Sequence, residues 1–350
     1  MEKFWKIKKM KQIKYFSKRP IDKVGRTFNF IIGGRGVGKT FSTIWECLTD
    51  GEKFIYMRRT QSEVELISSN GDDVSLSPFA KINKKKGTTM EMNRVNKNVW
   101  AVDTGDEENK QNVGIVLSLS TVASIRGFDA DDYDALIFDE FIPEKHVKKI
   151  GKGEAEGEAF LNAYETLNRD REFQGRKPLR CYLLSNSNNI NHPLLSMLGV
   201  VNVLERMRNR GQHFVDLPKF DMTITLYDDA DFREEKAKTA LYKLTRGTKF
   251  FDMSIDNDFA YNDFTGIESK NLKEYKPLCA IHGLYIYVHK SNGDYYVSAH
   301  RHNVEAFGDG ENEVHRFYML YGRKLYGAYV MGALFFENYQ VKEKILEMIV

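Results

Sequence analysis

Short apolar runs alternate with polar stretches along the first 190 residues. Five of these runs have the length of a strand, and they lie at 27–32, 54–59, 113–120, 133–140 and 179–186. A strand buried on both faces reads as a continuous apolar run, and such strands belong to parallel sheets covered by helices. The pattern therefore predicts an α/β domain with a mostly parallel sheet flanked by helices. Residues 88–102 predict a hairpin inserted between sheet strands.

The pattern changes after residue 202. Residues 222–226 predict a strand, and residues 231–244 predict a helix that Asp229 or Asp231 caps. We place a boundary in this region, which divides the chain into an N-terminal domain, a connecting segment and a smaller α+β domain. Their predicted limits are 1–202, 203–262 and 263–350.

The C-terminal part predicts a hairpin followed by helices. The strands Leu278–Val288 and Tyr295–Ala299 flank a tight turn at Asn292-Gly293. Residues 314–336 and 341–349 predict helical stretches.

Composition narrows the class of protein. A hydrophobic fraction of 42% with 29% charged residues is ordinary for a globular chain, and a net charge of +3 is too small to establish a nucleic-acid partner. The three cysteines are far apart and form no C-x-x-C pair, which indicates neither a disulfide framework nor a zinc site. No apolar run approaches the roughly 20 residues that cross a bilayer. The basic N-terminus lacks the apolar segment of a signal peptide, so we expect the protein to stay inside the cell that makes it.

Two basic stretches allow alternative interpretations. Residues 1–26 are dense in lysine with Trp5, Tyr15 and Phe16 interleaved, which fits an arm that touches nucleic acid or a partner subunit. A solvated leader that packs its aromatic rings on the first domain fits equally well. The cluster Lys84–Lys86 fits a contact with a phosphate backbone or a merely solvated surface.

The first run leads into a motif of the form G-x-x-x-x-G-K-[ST]. Its members are Gly33, Gly34, Arg35, Gly36, Val37, Gly38, Lys39 and Thr40. A strand precedes the motif and a helix-compatible segment follows it, which is the context of a phosphate-binding loop. Backbone N–H groups at the helix N-terminus would bind the phosphates, with Lys39 on the outer phosphates and Thr40 on Mg²⁺. The alternative is a glycine turn that only resembles the motif.

Polar residues end three of the other runs. Asp139 and Glu140 follow a buried strand, and two adjacent acids at the carboxyl end of such a strand fit a Mg²⁺ ligand followed by a base that polarises water. Arg58 and Arg59 lie where nucleotide or subunit contacts are expected, although surface arginines fit as well. Asn186 fits a sensor of the outermost phosphate or an asparagine that opens a turn. These residues together predict hydrolysis of a nucleotide.

The chain resembles the double-stranded DNA packaging ATPases of phi29-like tailed phages, relatives of the large terminase motor proteins. The resemblance rests on four blocks in this order along the chain: FNFIIGGRGVGKT, GEKFIYMRR, DALIFDEFI and RCYLLSN. Residues 251–259 continue it more faintly. The resemblance implies an ATPase domain of the additional-strand catalytic-glutamate type. Its cofactors would be ATP and Mg²⁺, with Asp139 as the magnesium residue, Glu140 as the catalytic base and Asn186 as the sensor. Arg35 matches an arginine that is common in such motors.

The same resemblance implies partners and a place of action. ATP hydrolysis would drive double-stranded viral DNA through a homo-pentameric ring docked on the portal of an empty procapsid. The ring would work in the host cytoplasm, attach only transiently to the portal vertex, contact no membrane and be absent from the mature virion. Whether a packaging RNA takes part in the dock stays open.

Ring ATPases of this type also use a positive residue from the next subunit. Arg126, in a Ser-Ile-Arg-Gly loop, resembles the basic residue of the equivalent terminase loop and is the favoured candidate. Arg169 and Arg171 lie in a segment that resembles a second proposed finger. An ordinary surface ion pair is the alternative for all three.

The resemblance also bears on the rest of the chain. Residues 203–262 would form a lid and linker. Large terminases carry a nuclease in the C-terminal part, and its metals need carboxylates on the first sheet strands. The predicted strand Leu278–Val288 has no carboxylate, so we expect a ribonuclease-H-like domain without nuclease activity that contacts DNA or the portal.

Other functions fit the same motifs. A nucleotide-switched clamp or scaffold on DNA or the portal would also bind ATP, but it would do no directional work. A small-molecule phosphotransferase would need an acceptor substrate. A GTPase is disfavoured because the segment Asn96-Lys97-Asn98-Val99 lacks the aspartate that reads guanine.

Overall fold

The computed structural model describes residues 15–68, 76–106, 108–125, 128–143, 150, 155–187, 189–248, 251 and 262–350. These residues form two compact units. The first contains the described residues through Leu194 and those from Gly211 to Phe251, and the second contains Leu195–Arg210 and Asn262–Val350. The predicted connecting segment 203–262 is thus divided between the two units.

A nine-stranded sheet organises the described part of the first unit. Its strands, in chain order, are β1 Phe28–Gly33, β2 Phe54–Arg58, β3 Glu91–Arg94, β4 Trp100–Thr104, β5 Gln111–Ser118, β6 Ala135–Asp139, β7 Arg180–Ser185, β8 Phe214–Leu217 and β9 Met222–Tyr227. Their order across the sheet is β3-β4-β5-β2-β6-β7-β1-β9-β8. The six strands from β5 to β9 in that order are parallel. The predicted mostly parallel sheet is confirmed.

The strands form where the apolar runs lie because both faces of the central sheet are covered. Ile31, Ile55 and Ile137 are fully buried, as are Leu184, Leu136 and Tyr182 beside them on the adjacent strands. The predicted hairpin is β3 and β4, which pair antiparallel with each other. It lies at the edge of the sheet beside β5, not between sheet strands.

Helices connect the strands. Up to Leu244 the described helices are α1 Arg19–Asp22, α2 Lys39–Thr49, α3 Gln61–Ser68, α4 Pro78–Lys86, α5 Ala155–Asn168, α6 Pro193–Met197, α7 Val200–Asn209, α8 Ala230–Ala237 and α9 Ala240–Leu244. The predicted helix 231–244 is wrong in one respect, because α8 and α9 are separate. Thr239 is extended between them (φ −74°, ψ 159°), and this interrupts the helical backbone. Asp229 caps α8 as expected by accepting the Phe232 N–H at 2.7 Å.

The second unit contains a five-stranded sheet with helices. Its strands are β10 Tyr275–Ile281, β11 Leu284–His289, β12 Tyr295–Ser298, β13 Ala306–Phe307 and β14 Leu334–Phe336, in the order β13-β10-β11-β12-β14. Besides α7 and the end of α6, its described α-helices are α10 Glu311–Phe317, α11 Arg323–Val330 and α12 Tyr339–Ile349, and a π-helical turn at Tyr318–Gly322 joins α10 to α11. No helix among the residues described in either unit has both the length and the apolar character that crossing a membrane would require.

Two predictions for this unit are wrong. The predicted strand Leu278–Val288 is a hairpin, because β10 and β11 are antiparallel and turn at His282 (φ 49°) and Gly283 (φ 74°). Such positive φ values at both central residues suit a tight two-residue turn. The end of the predicted helical stretch 314–336 is the strand β14, which pairs with β12. The hairpin at Asn292-Gly293 is confirmed by the antiparallel pairing of β11 and β12.

Candidate active site

The glycine motif forms the connection between β1 and α2. Gly36 (φ 83°) and Gly38 (φ 90°) both adopt left-handed backbone conformations, which side chains disfavour. A Cβ atom on Gly33 would lie 3.0 Å from the Tyr227 carbonyl oxygen, so the strand on that flank also leaves little room. The loop ends at the N-terminus of the eleven-residue helix α2, where free N–H groups favour an anion.

Lys39 is folded back onto the loop. Its Nζ atom donates to the carbonyl oxygens of Gly33 and Gly34, both at 2.9 Å, and to the Asn186 Oδ1 atom at 3.2 Å. Burial lowers the pKa of Lys39 to about 7; Asp139 opposes this shift, whereas Lys236 and Arg35 add to it. A bound polyanion would supply the negative charge that the protonated lysine needs.

This environment predicts proton uptake when a nucleotide binds. The phosphates of a bound nucleotide favour protonated Lys39, so they raise its pKa above the value of about 7 that it has in the chain without ligand. The affinity for ATP should therefore fall as the pH rises above 7. The fall approaches about tenfold per pH unit, the limit for one linked proton. Calorimetry in buffers of different ionisation enthalpy measures the uptake. Lys39→Arg is the control because its guanidinium stays charged, and equal uptake by this variant would contradict the assignment.

Asp139 lies at the end of β6 and faces the loop. Its Oδ1 and Oδ2 atoms are 3.0 and 2.9 Å from the Thr40 hydroxyl, which donates to this carboxylate across 99 positions of sequence. Tyr56 on β2 donates its hydroxyl to Oδ2 at 2.7 Å. Burial raises the pKa of Asp139, and Arg58 and the Tyr56 hydrogen bond oppose the rise. Thr40 and Asp139 present oxygen atoms, the ligands that Mg²⁺ prefers, so they fit the predicted metal site.

Glu140 is held by Arg58. The Arg58 Nη2 atom lies 2.6 Å from the Glu140 carboxylate, Nη1 lies 3.5 Å from Asp139, and Nε lies 3.2 Å from Glu63. Although burial opposes it, the pKa of Arg58 is raised by Tyr56, Asp139 and Glu140. Glu140 has φ 54° and is more than half exposed, so its side chain faces the open part of the site. Arg58 therefore contacts the carboxylates of both residues of the acid pair.

Arg59 faces the other way from Arg58. Its guanidinium is 1% exposed and makes two hydrogen bonds to Glu156 on α5, at 2.6 and 2.8 Å. Burial would raise the pKa of Glu156, but His192 and Arg59 lower it to about 2. The expectation that Arg59 contacts nucleotide or another subunit is wrong, because this residue ties β2 to α5 inside the unit.

The three candidate arginines have different surroundings. Arg126 lies outside the described residues. Arg169, directly after α5, is exposed and donates to the Phe128 carbonyl. Arg171 is buried, and its guanidinium donates to the carbonyls of Ala130 and Tyr133, the latter at 2.8 Å.

An open cavity of about 510 Å³ is lined by residues of the phosphate loop, the acid pair and Asn186. Its lining residues are Arg35, Gly36, Gly38, Lys39, Thr40, Phe41, Leu76, Ser77, Pro78, Lys81, Asp139, Glu140, Ser185 and Asn186. That volume is within the usual range of small-molecule sites. Sequence reasoning missed Tyr56, and it also missed Leu76 and Lys81 from the loop and first turn of α4. No motif marks these residues, because their place in the site depends on strand order and helix packing.

A phosphate loop after one parallel strand, opposite an acid pair on a nearby strand, defines a phosphate-loop nucleotide-binding protein. Residues 10–349 match the family model described as Podovirus DNA encapsidation protein (Gp16), and the chain belongs to this family. The DNA packaging protein of Bacillus phage B103 is 30% identical over 254 residues, which cover 71% of this chain and 70% of that protein.

Two solved structures have a similar fold. One is described as the bacteriophage Phi-29 viral genome packaging motor assembly, with a TM-score of 0.64, 22% identity and coverage of 96% of this chain and 100% of that chain. The other is described as the Phi-28 gp11 DNA packaging motor, with a TM-score of 0.55, 16% identity and coverage of 97% and 98%. The likeness therefore extends over both units of the chain.

Proposed function

We propose that this chain is an ATP-driven motor that translocates double-stranded viral DNA into a preformed procapsid. One observation carries the proposal: the Thr40 hydroxyl and the Asp139 carboxylate, from the two separate motifs, are within 3.0 Å of each other. Membership of the DNA encapsidation family supports the substrate and the setting.

The residues divide the chemistry among them. The loop N–H groups and Lys39 bind the phosphates, and Arg35 adds a positive charge at the same loop. Thr40 and Asp139 would hold Mg²⁺, which when bound supplies positive charge that offsets the charge of the phosphates. Asn186, next to Lys39, is suited to sense whether the outermost phosphate is present.

Glu140 is the proposed general base. It accepts a proton from the attacking water, whose oxygen then bonds to the outermost phosphorus as the bond to the leaving diphosphate breaks. Arg58 binds the same carboxylate at 2.6 Å and holds it while no water is in place. Releasing Glu140 from Arg58 would then accompany catalysis.

We further propose a homo-pentameric ring that docks on the portal, with a packaging RNA as a candidate component of the dock. The ring acts in the host cytoplasm, attaches transiently to the portal vertex and does not remain in the mature virion. Within the predicted lid and linker 203–262, β8 and β9 are strands of the nine-stranded sheet, so we assign the lid and linker role to the part of this segment that follows β9. The C-terminal unit is proposed to be ribonuclease-H-like without nuclease activity and to contact DNA or the portal. The absence of Asp and Glu from β10 and β11 supports this proposal.

The test is an ATPase and packaging assay with purified chain, procapsids and double-stranded DNA. We expect DNA to stimulate ATP hydrolysis and hydrolysis to accompany DNA entry. DNA-stimulated hydrolysis without DNA movement would favour the clamp or scaffold. Phosphate transfer to an added acceptor well above hydrolysis would favour a phosphotransferase.

Burial separates the arginine candidates for a role across the subunit interface. Arg171 is buried and its guanidinium donates to main-chain carbonyls of its own subunit, whereas Arg169 is exposed, so Arg126 and Arg169 are the remaining candidates. Loss of a trans-acting arginine costs about 10³-fold or more in turnover. A trans-acting Arg169 predicts this loss in Arg169→Ala alone and recovered activity in a mixture with Lys39→Ala subunits, because those subunits supply the missing arginine.

Three further variants sharpen this result. Arg176→Ala is the matched control, because Arg176 lies in the same segment and pairs with Asp131 at 2.6 Å. Arg171→Ala should lower stability, and mixing should not rescue it. Arg126→Ala in the same mixtures tests the other candidate. Failure of every Arg169→Ala mixture to regain activity would contradict the role of Arg169.

A further inference from the structure

Two aromatic side chains cover one flank of the phosphate loop. Tyr15 precedes α1, and a Cβ atom on Gly38 would lie 3.3 Å from its ring. Phe232 is in the first turn of α8, and a Cβ atom on Gly36 would lie 3.8 Å from the tip of its ring. The two ring centroids are 6.1 Å apart in an edge-to-face arrangement. Together these rings, called the aromatic flank below, stand beside both left-handed glycines of the loop.

Hydrogen bonds join the aromatic flank to the loop. The Phe16 N–H donates to the Val37 carbonyl at 3.0 Å, which places the preceding Tyr15 on the loop. Lys236 lies one turn after Phe232, donates its ammonium to the Arg35 carbonyl and lies 5.7 Å from the Phe232 ring centroid. The flank therefore keeps its position through contacts with backbone atoms of the loop itself.

The sheet order places the aromatic flank opposite the acid pair. β1 lies between β7 and β9. Beyond β7 is β6, which ends in Asp139, whereas α8 follows β9. If the outermost phosphate faces Glu140, the rest of the nucleotide leaves the loop on the side of β9. That side is where Tyr15 and Phe232 lie.

We propose that Tyr15 and Phe232 form the nucleoside subsite of the nucleotide site, where the base stacks against their rings. This inference rests on the proposed function, because it takes its direction from Glu140 as the residue facing the outermost phosphate. Aromatic rings stack on any base because every base has a π-face. The subsite therefore binds nucleotides of different bases with similar strength.

The charge around the aromatic flank suits a nucleoside polyphosphate. Arg35 and Lys39 are positive residues of the loop itself, and Lys236 lies beside it. Burial, together with Arg35, lowers the pKa of Lys236 to about 8. The cavity that Asp139 and Glu140 line has apolar residues of its own, Phe41, Leu76 and Pro78, whereas Tyr15 and Phe232 are not among its lining residues. A base against these apolar residues would lie near the acid pair, so Leu76 provides a direct test of the competing location.

The experiment measures steady-state ATPase kinetics of the full chain. Tyr15→Ala and Phe232→Ala are each expected to raise KM for ATP about 10-fold with kcat within about twofold, as the loss of one stacking contact predicts. Phe232→Leu keeps apolar bulk without a ring and should raise KM similarly, whereas Phe232→Tyr should restore it. Phe220→Ala is the control, because Phe220 is an exposed aromatic of the same unit.

KM values for ATP, GTP, CTP and UTP should differ by less than about tenfold because stacking tolerates every base.

Inorganic tripolyphosphate separates the base from the loop, because it has phosphates and no base. Its inhibition constant should be unchanged in the Tyr15 and Phe232 variants. Equal weakening of tripolyphosphate and ATP would overturn the subsite, as would unchanged KM in both variants or a KM rise confined to Leu76→Ala. Lys39→Ala distinguishes failure of the subsite from failure of the proposed function. If Lys39→Ala still binds ATP normally, the proposed function fails as well. If Lys39→Ala loses ATP binding while the Tyr15 and Phe232 variants keep it, only the subsite fails.

Discussion

Replacing Glu140 with Gln is expected to lower ATP turnover by about 10²- to 10⁴-fold, the usual contribution of a general base. Glutamine has the same size, and its carbonyl oxygen still accepts from Arg58, so the site keeps its shape. It lacks the charge that takes a proton from water. ATP binding should therefore stay within about twofold of the wild type. Phosphate release measures turnover, and equilibrium titration with ATP and Mg²⁺ measures binding.

Glu63→Gln is the matched control for this experiment. Glu63 also contacts the Arg58 guanidinium, at 3.2 Å, and it makes a further hydrogen bond to the Arg59 N–H. Its replacement removes a carboxylate from the same arginine without removing the proposed base. Turnover that survives Glu140→Gln would remove Glu140 from the mechanism. Equal losses in both variants would show that the charge balance around Arg58 is the cause.

The second large effect concerns stability. Arg59→Ala is expected to lower the free energy of unfolding by about 3–5 kcal/mol, because it leaves the Glu156 carboxylate buried without the guanidinium that makes two hydrogen bonds to it. Urea unfolding of the full chain measures the loss. The double variant Arg59→Met with Glu156→Leu should lose much less, because it removes both charges and keeps apolar volume. Equal losses in the single and double variants would contradict this account.

The same pair predicts a dependence on acid. His192 and Arg59 lower the pKa of Glu156 in the folded chain to about 2, from an ordinary value of 4.5. Its folded pKa is lowered, so the stabilisation is fully present above about pH 4.5 and is lost as the pH falls towards 2. The shift corresponds to roughly 3 kcal/mol, since one pKa unit is about 1.4 kcal/mol. Arg59→Ala should therefore flatten part of the decrease of stability between pH 4.5 and 2, because His192 still lowers the pKa of Glu156.

Local chemistry explains what could be predicted without coordinates. The glycine motif needs only eight consecutive residues, and a buried parallel strand shows itself as an apolar run of its own length. Lys39, Thr40 and Asp139 were therefore identified directly, and the structure places them together. The hairpin of β10 and β11 was missed because His282 is a rare residue at positive φ, so an apolar run with one His-Gly pair resembles a single strand.

The sequence by itself thus determined the α/β class, the phosphate loop and the acid pair, because each depends on residues adjacent in the chain. Only the tertiary structure decided that Tyr56 and Arg58 hold the acid pair and that Arg59 is buried on Glu156. It alone brought Tyr15 and Phe232, 217 positions apart in the numbering, to one flank of the loop. The reason is physical: strand order and helix packing set these contacts, and they arise from burial summed over the whole core, not from any short stretch of residues.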